Sequence, residues 1–96
     1  MRLTVFKYVW DMRGPEVQSF SMPKGAEVLT VGVQTDRHAE PHERLMIWAR
    51  VDSEQPPQRR RFMICGTGRV APPDRYIGTA IMLGGALVLH VFELGD

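Results

Sequence analysis

Three consecutive arginines, Arg59-Arg60-Arg61, are the densest run of charge in this 96-residue chain. In a strand, neighbouring side chains point to opposite faces, so Arg59 and Arg61 would share one face and Arg60 would take the other. Two guanidinium forks on one face can grip a phosphate or carboxylate bidentately. The competing reading is an edge strand that uses charge to block sheet-to-sheet pairing. Trp48 stands among Arg44, Met46 and Arg50. A tryptophan flanked by arginines has the composition of an interface hot spot or of a base-stacking platform. It is also what a strand uses to pack an arginine stem. Arg44, Trp48, Arg50, Arg59 and Arg61 form the expected partner-binding set.

A second set is built on the Gly66-Thr67-Gly68 turn. Backbone N–H groups in a glycine-rich turn can cradle an anion, with the threonine hydroxyl adding a contact. Arg69 beside it adds charge, and Tyr76 could stack a base. Gly66, Thr67, Gly68, Arg69 and Tyr76 are the expected residues if the ligand is a small anion. The turn also reads as a plain strand end with a bulge, since no helix follows and neither phosphate-loop motif is present.

Other chemistry is thinly supplied. His38 and His42 are four apart with Glu40 and Glu43 nearby, but Pro41 between them breaks the helix that a zinc pair at that spacing would need. No metal and no cofactor is expected. His90 lies in an apolar run with Glu93 close in sequence, and reads as a hydrogen-bonded core or interface histidine. Cys65 has no partner for a disulfide and no histidine beside it in the chain; pairing with His90 would require two strands to bring them together. Nothing supplies an activated nucleophile or paired carboxylates, so no catalytic residue is expected and the chain reads as a non-enzyme.

The elements that must position these residues read as strands. Leu45, Ile47, Ala49 and Val51 alternate with Arg44, Met46, Trp48 and Arg50, and Leu29, Val31 and Val33 alternate with Thr30, Gly32 and Gln34. Period-two patterning marks half-buried strands. Strands are expected over residues 3–10 (covered on both faces), 16–22 (an edge), 26–35, 44–52, 60–66, 76–83 and 86–94 (central). Met22-Pro23-Lys24-Gly25 reads as a tight turn joining the second and third strands in a hairpin. Gly84-Gly85 reads as a two-residue hairpin link, because a type I′ turn needs positive φ at both positions. The expectation is one all-β domain over residues 1–96. It would hold about seven short, mainly antiparallel strands in a small sandwich or partly open barrel, with at most one short helix.

Composition excludes several classes. Twelve basic against eleven acidic residues leave a net charge of +1. That gives no field for duplex nucleic acid or an anionic membrane. No 18-residue apolar run and no signal-type segment are visible, so a cytoplasmic protein is expected. Self-association is expected to use a free edge, such as residues 16–22, paired across a two-fold axis.

A set of short motifs comes in order along the chain. They are Lys7-Tyr8; Met22-Pro23-Lys24-Gly25-Ala26 running to Leu29; Ile47-Trp48-Ala49 with Val51-Asp52; Gly66-Thr67-Gly68; Tyr76-Ile77-Gly78-Thr79; and Leu87-Val88-Leu89-His90-Val91-Phe92-Glu93. In these, the chain resembles a family of small uncharacterised proteins encoded mostly by bacteriophages and prophages. Leu89 departs from the tryptophan that other members carry there. The resemblance implies no activity and no catalytic residues. It implies an accessory protein in the host cytoplasm that acts by binding a host or phage protein, with a restriction, CRISPR or nucleotide-signalling defence among the expected targets. The alternative is an oligomer that sequesters an anionic small ligand such as a nucleotide signal.

Overall fold

The computed structural model describes residues 1–38, 40 and 42–95. Its strands are β1 (Leu3–Val9), β2 (Val17–Pro23), β3 (Glu27–Thr35), β4 (Glu43–Asp52), β5 (Pro57–Gly66), β6 (Arg75–Met82) and β7 (Leu87–Glu93). The only helical piece among the described residues is a 3-10 turn, Leu83–Gly85. All strand pairs are antiparallel. One sheet has the order β1-β4-β3 and the other β2-β5-β7-β6. This is the small all-β fold that the alternating pattern implies. No helix among the described residues is long and apolar enough to cross a membrane.

The two sheets face each other, and the molecule measures 41 × 35 × 19 Å. Leu45, Ile47, Ala49 and Val51 of β4 turn inward against Phe62, Ala80, Met82, Leu89 and Val91 of the other sheet. Trp10, Met22 and Phe62 are the bulkiest side chains fully buried between them. The described residues include no buried polar or charged residue, so apolar burial is the main force holding the sheets together.

Along one side the sandwich closes tightly. A Cβ on Gly78 of β6 would lie 2.8 Å from Cγ2 of Val31 on β3, so only glycine lets these strands approach. Along the other side β1 and β2 are open edges, and rings bridge the gap between them: Tyr8 and Phe20 are centred 6.0 Å apart.

Three expectations are corrected. First, β2 and β3 are not a hairpin. The Pro23–Ala26 turn forms, with the Ala26 N–H donating to the Pro23 carbonyl at 3.1 Å and Gly25 at φ 83°, but it carries the chain from one sheet to the other. Each strand thereby points its own apolar face inward, at Met22 and Val28. Second, β1 is an exposed edge rather than a strand covered on both faces. Third, the β6–β7 link has four residues, because Met82 pairs with Leu87, and Leu83 as well as the glycines takes positive φ.

The fifth strand starts three residues earlier than residues 60–66, at Pro57. Pro57 lies opposite Pro23. The flanking pair, Lys24 with Pro56, is hydrogen bonded at 2.8 Å, so the two prolines occupy a pair that exchanges no ladder bonds. Their missing N–H groups therefore cost nothing there.

Candidate functional site

The outer face of the four-stranded sheet gathers most of the polar chemistry. Strand register places Ser19, Arg61 and Leu94 in one row; Val17, Met63, Phe92 and Tyr76 in the next; and Cys65, His90 and Thr79 in a third. Successive rows are about 7 Å apart, two residues along a strand.

At one end is a cleft of about 410 Å³ lined by Arg59, Arg61, Arg75, Asp74 and Gly95, with Arg60 and Glu93 beneath. Its wall is pinned by three bonds. The Leu94 N–H donates to the Arg61 carbonyl at 2.9 Å, Arg61 Nη2 donates to the Gly95 carbonyl at 3.2 Å, and the Gly95 N–H donates to Asp74 Oδ2 at 2.7 Å. Arg59 Nε donates to Ser19 Oγ at 2.9 Å. Arg60 points inward, as the alternation requires. It forms a two-pronged ion pair with Glu93 and donates from Nη1 to the Ala26 carbonyl at 2.8 Å. The Glu93 hydrogen bond holds the Arg60 guanidinium above its ordinary pKa, against the opposing effect of burial. Glu93 is thus neutralised by Arg60. Arg59 and Arg61 reach the cleft from the outer face, while Arg75, opposite Glu93 in register, lines it from the inner-face side.

One row from Arg61, the Tyr76 ring is 54% exposed and packs its edge on Phe92, with centroids 5.7 Å apart. Tyr76 also begins a chain of hydroxyls. Tyr76 OH bonds Thr79 Oγ1, which meets His90 Nδ1 at 2.9 Å, and His90 Nε2 meets Thr67 Oγ1 at 2.9 Å. Both ring nitrogens of His90 are therefore occupied by threonines. Cys65 is opposite His90 in register, yet its thiol faces the carbonyls of Gly66 and Val70 at 3.4 and 3.3 Å. The two share a row but form no thiol–imidazole pair. Among the described residues no three His, Cys, Asp or Glu side chains converge as a metal set; His42 is bonded to Glu40 and to the Asp36 carbonyl. Pro41 lies outside the described residues.

The expected partner-binding set does not form one surface. Arg59 and Arg61 lie on the outer face of the four-stranded sheet. Arg44, Trp48 and Arg50 lie on the outer face of the three-stranded sheet, the opposite side of the sandwich. Trp48 is packed rather than presented: a Cβ on Gly32 would be 2.9 Å from its Cζ3, so the indole lies over that glycine. Arg50 is tied to Glu27, its cross-strand neighbour. Arg44 is half-buried. The expected small-anion set is linked only indirectly: Tyr76 lies one row from the arginine cleft and reaches Thr67 of the Gly66-Thr67-Gly68 turn through Thr79 and His90. Arg75, Thr79 and the inward Arg60–Glu93 pair were not singled out from the sequence, because their neighbours are set by the order β5-β7-β6.

The chain matches, over residues 1–96, the model of a family described as "Domain of unknown function (DUF7352)". It belongs to that family. No curated protein and no solved structure matches it. The family description names no activity, so function must be argued from the site.

Proposed function

We propose that this chain is a non-catalytic binding protein for a small anionic ligand, held on the outer face of the four-stranded sheet. Phosphate or carboxylate groups are gripped by Arg59 and Arg61, with Arg75 adding charge from the far side of the same cleft, and an aromatic ring packs on Tyr76. One observation carries the reading: two strands that are far apart in sequence bring three arginines to one cleft, while its nearest glutamate is neutralised from below. Guanidinium forks suit phosphate and carboxylate geometry. The exposed ring, one row away, suits a nucleotide-like ligand whose base and phosphates are separated by a sugar. A protein of this kind acts by sequestration, which fits the near-neutral overall charge and the lack of a field for long nucleic acid.

Thermal unfolding with nucleoside mono-, di- and triphosphates, cyclic dinucleotides and pyrophosphate tests the proposal. At ~100 times Kd the bound ligand adds roughly 2.7 kcal/mol of stability. That appears as a rise of several degrees in Tm, and it is lost in an Arg61→Ala, Arg75→Ala double variant. A Tm unmoved by the whole panel, in a folded protein, rejects it.

A further inference from the structure

β1 is an edge without the usual defences. Leu3, Val5, Phe6 and Val9 are 58, 54, 39 and 41% exposed, and they lie on both faces of the strand. It contains no proline and its register with β4 has no bulge. Its one charged residue, Lys7, is turned away from the edge, since Nζ donates to Gln34 Oε1 at 3.1 Å across the outer face. Natural edges are normally blunted by charge, proline, bulges or a cover. The other open edge, β2, is blunter, with polar Ser19 and Ser21 and a terminal Pro23.

We propose that β1 is covered by β1 of a second copy, antiparallel about a two-fold axis, so that two three-stranded sheets become one six-stranded sheet. The backbone itself favours this occupant. The Arg2 carbonyl accepts from the Ser53 N–H at 3.1 Å, and the Trp10 N–H donates to the Leu45 carbonyl at 2.9 Å. Even-numbered residues of β1 therefore bond to β4, and Leu3, Val5, Lys7 and Val9 turn their N–H and C=O groups outward. With the axis at Phe6, Leu3 falls opposite the partner's Val9 and Val5 opposite the partner's Lys7. Every outward backbone group of those four residues then gains a bond, and Phe6 meets the partner's Phe6 in the closer, non-bonded pair. Like charges never face each other, because Lys7 faces a valine. The strand is thus complementary to itself in the register that uses its whole length.

The bare surface on β1 is apolar on both faces, with Leu3, Val5 and Val9 on one and Phe6 on the other, so pairing with a second copy would cover side chains as well as satisfy backbone groups. The inference is independent of the ligand proposal, since β1 and the arginine cleft belong to different sheets.

Sedimentation velocity on the purified chain reads the outcome. The wild-type protein is expected at twice the 10.9 kDa chain mass. Val5→Pro deletes an N–H that β4 does not use and is expected to be a folded monomer. Val5→Lys, which sets like charges face to face at the axis without touching the backbone, is the second route to the same result should the proline variant misfold. Ser21→Pro, on the open side of β2, is expected to stay dimeric. A wild-type monomer overturns the proposal, as does a dimer that survives Val5→Lys or one that is lost only in Ser21→Pro.

Discussion

Leu83 holds its backbone at φ 52°, in the left-handed region that side chains with a Cβ avoid at a cost of about 1–2 kcal/mol. Its N–H donates to both carboxylate oxygens of Glu43, at 3.1 and 3.0 Å, which fixes the conformation. The side chain is exposed and buries little. Leu83→Gly removes the strain but adds about 0.5–1 kcal/mol of chain entropy to the unfolded state. The expected net is a gain below ~1 kcal/mol, seen as a Tm higher by a few degrees; a lower Tm contradicts this account of the turn. Asp52 contributes to the acid sensitivity of the fold. Its carboxylate accepts the backbone N–H of Arg2 and of Glu54, each at 3.1 Å, and these bonds, the Arg2 bond foremost, lower its pKa from 3.8. A carboxyl whose folded value lies below its unfolded value stabilises the protein above the unfolded value, and that contribution is lost as pH falls through the folded one. Urea midpoints measured from neutral pH down past 3.8 should therefore fall less in Asp52→Asn than in wild type. Equal slopes would remove Asp52 from the acid transition. At this scale the sequence was partly legible. The shared face of Arg59 and Arg61 follows from strand alternation, whereas nothing local announces that Leu83 joins the glycines in positive φ.

Among elements, the closure of β6 on β3 is the most exacting contact. Gly78→Ala drives a Cβ into Val31, whose branched side chain is anchored too near its own backbone to yield. The expected loss is about 1–3 kcal/mol. Gly66→Ala is the contrast, because its added Cβ meets only Arg69 Cγ at an ordinary 3.6 Å. Chemical denaturation of both variants checks the pair; equal losses would show that the β3–β6 approach is not limiting. Strand positions were readable because a period-two pattern is local. Pairing was not. Pro23-Lys24-Gly25-Ala26 makes the same tight turn whether the chain folds back in one sheet or crosses to the other, and only the burial of Met22 and Val28 on facing layers decides it. Likewise, β1 reads as covered on both sides because it is apolar on both sides, and a single chain leaves that surface bare.

At the scale of the molecule, the two outer faces present different chemistry. The three-stranded sheet carries a packed tryptophan, the Arg50–Glu27 pair and an open apolar edge suited to its own copy. The four-stranded sheet carries the arginine cleft, the exposed Tyr76 and the threonine-flanked His90. Sequence alone merged arginines from both faces into one contact set, since neighbours in sequence say nothing about which layer a strand joins. Separating them is what turns a diffuse basic pattern into a bounded site. The most direct measurement is an amide-resolved NMR titration with a nucleoside diphosphate and, separately, with pyrophosphate. The account predicts saturable shifts at residues 59–61, 74–76 and 92–95, and their loss in Arg61→Glu, Arg75→Glu. Shifts that cluster instead around Arg44, Trp48 and Arg50, or that never saturate anywhere on the four-stranded sheet, would contradict it.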